Sequence, residues 1–126
     1  MQLALKYNLP FTTVKIAYGD AEIKVTDVLV DTGSASTILA ADVVAQIGIV
    51  PELQDVPRVI RGVGGTEVVF SRQVDRLQVG NKGIAGFEIE VGGMDYGFEI
   101  NGILGTDFLV RMGAVIDLSG MRVAFP

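Results

Sequence analysis

Apolar and polar residues alternate along most of this 126-residue chain, and glycine-bearing turns cut the alternation into short runs. Successive side chains of a β-strand point to opposite faces, so a period of two commits a segment to lie with one face on a core. Phe11, Thr13 and Lys15 alternate with Thr12, Val14 and Ile16; Gly19-Asp20 breaks the run, and Ala21–Val30 resumes it, which predicts a hairpin. Arg58–Ile60 and Glu67–Phe70 flank Gly62-Val63-Gly64-Gly65 and predict a second hairpin with a conformationally free tip. Phe87, Ile89 and Val91 alternate with Glu88 and Glu90 on a further strand, which puts both glutamates on a wet face. Asn81-Lys82-Gly83 and Ser119-Gly120 supply more turns, and Met121, Val123 and Phe125 alternate with Arg122 and Ala124 as one arm of a terminal hairpin. Only Ala40–Ile47, stopped by Gly48, and Thr106–Met112, closed by Gly113, carry helical spacing. The expectation is one mostly β domain over residues 1–126, with seven or so strands and two short helices.

The residues that are missing narrow the chemistry. There is no histidine, cysteine or tryptophan. That excludes imidazole-based triads, thiol nucleophiles, disulfides and the usual zinc sites, and no cofactor or metal is expected. Carboxylates, hydroxyls, lysines, arginines and backbone groups are left to do any catalysis. The formal charge is −5, with ten basic residues scattered singly among fifteen acids, so a nucleic-acid partner is not expected. No run reaches the roughly eighteen apolar residues that span a bilayer, and Met1–Lys6 does not read as a secretory leader. The default expectation is therefore a cytoplasmic location. A hydrophobic content of 49% is high for a small domain and fits either a well-filled core or an oligomer interface.

One segment concentrates the remaining chemistry. Val28-Leu29-Val30 leads a strand into Asp31, and Thr32-Gly33-Ser34 turns away at once. A carboxylate at the end of an apolar strand sits where its surroundings can tune it. The glycine lets the backbone turn tightly and a ligand approach, and the hydroxyls can hold the loop. Asp, Thr, Gly and Ser are equally ordinary turn residues, so the segment alone leaves both readings open.

Two further segments agree with it in order and spacing. Val28–Thr37 with its Asp-Thr-Gly, the glycine-rich Ile60–Gly65, and Gly102-Ile103-Leu104-Gly105 with the helix after it resemble the retropepsin-like aspartic proteases, single-domain dimeric relatives of one lobe of pepsin. The resemblance covers roughly residues 20–118 and implies a closed, barrel-like acid-protease fold with a flap hairpin. It implies an endopeptidase whose dyad is Asp31 from each of two subunits, since the chain has one Asp-Thr-Gly and two adjacent carboxylates must share a proton to act as base and acid. Thr32 would bond across the two-fold axis and Gly33 would meet the substrate backbone. Ser34 would hydrogen-bond the outer oxygen of Asp31. Ile60, Gly62, Val63, Gly64 and Gly65 would form the flap over an extended peptide or protein substrate, with Ile38 and Ile103 walling its pockets.

The sequence also departs from the viral members. An Asp and an Arg that brace the loop there are replaced by Ala35 and Thr106, so that ion pair is absent. A Ser-Lys dyad lacks a nucleophile turn, and a cation site around Glu88, Glu90, Asp95 and Glu99 lacks a calcium-loop pattern. Gly62–Gly65 lacks the Lys and hydroxyl of a phosphate loop. The reading from another class is a non-catalytic dimeric module that keeps the fold to bind peptides.

Overall fold

A computed structural model describes residues 1–62, 65–94 and 97–126, with the side chains of Arg61 and Glu67 also outside the description. The chain is mostly strand, as its alternation requires. Ala4–Lys6 (β1) and Leu9–Tyr18 (β2) are joined by Tyr7-Asn8, both at positive φ, the two-residue turn whose twist suits a hairpin. Gly19-Asp20 joins β2 to Ala21–Val30 (β3), with Tyr18 opposite Ala21. Ile38–Ala40 (β4) leads into a single helical turn, Ala41–Val44 (α1), that tightens over Ala45–Ile47 and stops where Gly48 takes φ +88°. Arg58–Gly62 (β5) and Gly65–Gln73 (β6) form the second hairpin. Arg76–Val79 (β7), Lys82–Ala85 (β8) and Glu88–Gly92 (β9) follow. The β7–β8 turn is Gly80-Asn81, starting one residue before the expected Asn81-Lys82-Gly83, because Gly80 supplies the positive φ. Gly102–Leu104 (β10) runs into Thr106–Arg111 (α2), and Val115–Asp117 (β11) pairs with Arg122–Ala124 (β12) as the expected terminal hairpin.

Twelve strands among the described residues exceed the seven or so expected. The additions include β1, β4 and β10, each three residues long and too short to display a period of two. The large sheet runs β5-β6-β9-β4-β10-β3-β2-β7-β8, with β1 on β2, and among the described residues its two ends do not pair. The expected closed barrel is therefore an open mixed sheet. The reason lies in β6, whose first half pairs with β5 and whose second half, Val69–Gln73, pairs with β9. The hairpin thus projects beyond the sheet, and β5 is left as a free edge.

The two faces of this sheet carry different loads. One packs the main core, in which Phe108 is fully buried and meets Phe87 and Phe125 edge-on at 5.7 and 6.0 Å. The other carries a smaller cluster of Phe11, Ile38, Ile100 and Ile103, against which Ile60 and Leu29 pack. A β-bulge decides which residues of β3 go where. Thr12 faces Val28 but Val14 faces Val25, so Thr26 and Asp27 together oppose Thr13, with Asp27 at φ +57°. One extra residue reverses the parity of a strand. Ile23 and Val25 face the main core before the bulge, Val28 and Val30 after it, and Leu29 turns to the smaller cluster.

Candidate active site

Asp31 inherits that reversed parity. It lies two residues beyond Leu29 and so belongs to the face of the smaller cluster instead of being driven into the core. Its backbone continues the parallel β3–β10 pairing, with the Asp31 N–H donating to the Leu104 carbonyl at 3.0 Å. The Gly33 N–H donates to Asp31 Oδ1 at 2.8 Å. A Cβ on Gly33 would stand 3.1 Å from that same oxygen, so a larger residue would press on the carboxylate it now hydrogen-bonds. Asp31 is half-buried, whereas Thr32, Gly33 and Ala35 are exposed.

The loop after Asp31 is held from below by the β10–α2 junction. Thr106 donates twice to the Ser34 carbonyl, from its N–H at 2.8 Å and its Oγ1 at 3.1 Å. Gly105 makes this approach possible: a Cβ there would lie 2.4 Å from the Ser36 carbonyl oxygen and 2.9 Å from that of Ser34. Thr37, buried, gives its N–H to Asp107 Oδ2 at 3.1 Å and its hydroxyl to Oδ1 at 2.7 Å, and that hydroxyl accepts the Gly105 N–H at 3.1 Å. Asp107 Oδ1 also accepts the Phe108 N–H at 2.8 Å at the start of α2.

This network stands where the viral members have an Asp–Arg ion pair and this chain has Ala35 and Thr106. Thr106 anchors the loop through its hydroxyl and backbone, and Asp107 ties the loop's far end to the helix. The helical spacing of Thr106–Met112 puts Asp107 in the first turn of α2 but says nothing of its bond to Thr37. Each could have been found from the pair of them: a Thr five residues after the Asp-Thr-Gly glycine's predecessor means little until an acid follows Gly-Thr on the neighbouring helix.

The other expected site residues divide. The Ser34 hydroxyl donates to the Ser36 carbonyl at 2.7 Å, not to Asp31; its backbone N–H reaches the Asp31 carbonyl at 3.2 Å. The role expected for that hydroxyl is therefore corrected: it shapes the loop. Ile103 lies opposite Ile38 in the β10–β4 pair and beside Leu29 in the β10–β3 pair, so these three side chains form a row, with Ile60 of β5 packed on the same cluster. Gly62 and Gly65 close the described part of the hairpin as partners, and Val63 and Gly64 lie outside the described residues. A shallow cavity of about 380 Å³ opens beside this cluster among Ala40, Asp42, Met94, Phe98 and Ile100, and it does not include Asp31. Among the described residues no helix is long and apolar enough to cross a membrane. Glu90, expected on a wet face, is instead 5% exposed.

The family model for aspartyl proteases matches residues 12–108, a span that takes in the Asp31 loop, the β5–β6 hairpin, β10 and the start of α2. No curated protein shows significant similarity to the chain.

Proposed function

Because the chain belongs to the aspartyl protease family, we propose that it is an aspartic endopeptidase that acts as a homodimer, with Asp31 of each protomer forming the catalytic pair. The observation that carries this reading is the state of the Asp31 loop. Its backbone is pinned by β10 and α2, yet its Thr32-Gly33 tip is exposed. A loop held this firmly while presenting its side chains outward suits a surface that a second copy covers. One Asp-Thr-Gly per chain also makes a second carboxylate a matter of a second chain.

In that dimer the two carboxylates share one proton, since two ionised groups at contact distance repel strongly. The ionised carboxylate takes a proton from a water as the water oxygen bonds to the scissile carbonyl carbon. The protonated one gives its proton to the carbonyl oxygen, and a neutral gem-diol results. A carboxyl group then protonates the amide nitrogen, the C–N bond breaks, and one hydroxyl proton of the diol returns to the pair as the new carboxylic acid forms. The Gly33 N–H on Asp31 Oδ1 orients the carboxylate for this exchange. Ile38, Ile60 and Ile103 would wall the apolar subsites, and the β5–β6 hairpin would pair with an extended substrate.

Sedimentation equilibrium and cleavage of a peptide library from acid to neutral pH, on wild type and Asp31→Asn together, test the proposal. A dimer whose cleavage vanishes in Asp31→Asn is the expected result. A protein that stays monomeric at micromolar concentration, or cleavage that survives Asp31→Asn, refutes it. A dimer that binds library peptides without cutting them would instead identify a peptide-binding module.

A further inference from the structure

Among the described residues Glu90 is the only charged one that is buried, and the sheet itself does not require it there. Its backbone N–H is satisfied by the Thr37 carbonyl at 2.9 Å, which any residue would do. A buried ion pair is commonly no more stabilising than apolar side chains of similar size. The placement of this one is more telling than its energy.

The strand registers place it. Ser71 of β6 lies opposite Glu90 of β9, Glu90 beside Ile38 of β4, Ile38 opposite Ile103 of β10, and Ile103 beside Leu29 of β3. Residues in register share a face, so Glu90 lies in one row with Leu29, on the face to which Asp31 belongs. Three strand spacings and two residues along β3 separate Glu90 from Asp31, roughly 14–16 Å, or the reach of about four or five residues of extended chain.

Both carboxylate oxygens of Glu90 are engaged. Oε2 accepts the Ser71 hydroxyl at 2.9 Å, and Oε1 pairs with Arg58 Nη2. Arg58 belongs to β5, registers with Val69, and so stands on the same face two residues before Ile60. Its side chain is 53% exposed while that of Glu90 is 7% exposed. A ligand on this face would meet the guanidinium and not the carboxylate beneath it. Glu90, itself fixed by the Ser71 hydroxyl, holds one edge of a rigid, planar group with five donors, and the exposed remainder has the geometry to take a second carboxylate.

We propose that Arg58, locked in place by Glu90, is a specificity residue that binds an acidic side chain of the substrate about four or five residues from the cut bond. The proposal rests on the peptidase reading above and adds a substrate class to it: extended peptides carrying Asp or Glu at that distance from an apolar cleavage site. Glu90 acts as a positioning residue through Arg58 and does not itself touch the substrate.

The test uses decapeptides that share one cleavable apolar centre and differ only in whether Asp, Asn or Lys is placed, in turn, at each position around it. Wild type should cleave the Asp peptide about tenfold better in kcat/KM at one outlying position, the worth of one charge-assisted contact. That ratio should fall to about one in Arg58→Ala and reverse toward a Lys peptide in Arg58→Glu, and in Glu90→Gln the loss should appear in KM with kcat kept. Circular dichroism and sedimentation confirm that each variant is folded and in the wild-type assembly state. If no position shows a preference, or if Arg58→Glu keeps the wild-type preference, the proposal is overturned. Binding of the same peptides to Asp31→Asn protein, read by fluorescence anisotropy, separates this from failure of the peptidase reading. With no cleavage by wild type, an Asp-over-Asn preference in Kd that Arg58→Glu abolishes sustains the subsite, and equal Kd values overturn it.

Discussion

Replacing Asp107 by Ala should unlatch the far end of the Asp31 loop. The carboxylate accepts three hydrogen bonds, from the Thr37 N–H, the Thr37 hydroxyl and the Phe108 N–H. Thr37 is 1% exposed, so its two donors have no water to turn to when the acceptor goes. A buried donor left unpaired costs about 1–3 kcal/mol, and loss of a helix-start acceptor about 1 kcal/mol. Asp107 is only half-buried, so water entering its vacated space recovers part of the cost. The expected loss is about 3 kcal/mol, near the lower end of that sum. Asp107→Asn keeps one acceptor oxygen and should lose about 1 kcal/mol. Urea unfolding at neutral pH measures both, at one fixed protomer concentration because a dimer's stability depends on it. Asp42→Ala is the control: it removes an exposed acid from the first turn of α1 and should cost about 0.5 kcal/mol or less. Hydrogen exchange adds a local readout, with the Thr37 and Thr106 amides losing protection in Asp107→Ala before the main-core strands do. A loss no greater than that of Asp42→Ala, with the Thr37 amide still protected, would refute the latch.

Gly105→Ala forces a methyl group to within 2.4 Å of the Ser36 carbonyl oxygen, so the loop must shift; we expect a loss of about 2–4 kcal/mol in the same urea assay and a matching fall in any cleavage. Arg72 is 10% exposed and holds the 49–57 loop through Asp55 at 2.7 Å and the Val50 carbonyl at 3.1 Å, so Arg72→Met should expose that loop to limited proteolysis several-fold faster, with cuts mapped by mass spectrometry. Lys6 pairs with Asp27 at the bulge, and that hydrogen bond and charge hold its ammonium above the ordinary value of 10.5. The stabilisation from this pair is present below 10.5 and is lost as pH rises through the raised value. Titration of the Lys6 side chain by NMR should therefore show its midpoint fall in Asp27→Asn.

The alternation of β2 and β3, the Gly19-Asp20 turn, the glycine stops at Gly48 and Gly113 and the terminal hairpin were all legible in the amino-acid order. Each rests on preferences that act within a few residues: side-chain parity in an extended chain and the cost of positive φ for residues with a Cβ. Asp31-Thr32-Gly33 was legible for another reason, since three segments in order identify a family that one segment could not. The parity switch leaves no such local mark: Ala21–Val30 reads as one uninterrupted run, and only its pairing with β2 shows Val25 and Val28, three residues apart, both turned to the main core. Glu90 leaves none either. Its alternation with Val91 is the same whether solvent or Arg58 lies over it, and only the course of the β5–β6 hairpin puts Arg58 there. Thr37 and Asp107, seventy residues apart, meet only because β10 runs beside β3 and delivers α2 under the loop. Nor does any local signal say whether a sheet closes, which depends here on how β6 divides its length between two partners. The longer alternating strands, their glycine turns and the Asp-Thr-Gly motif are written locally in the amino-acid order. Which face that aspartate occupies, and which charged groups share the face with it, was decided by strand register, an interaction between segments that carries no mark in either one alone.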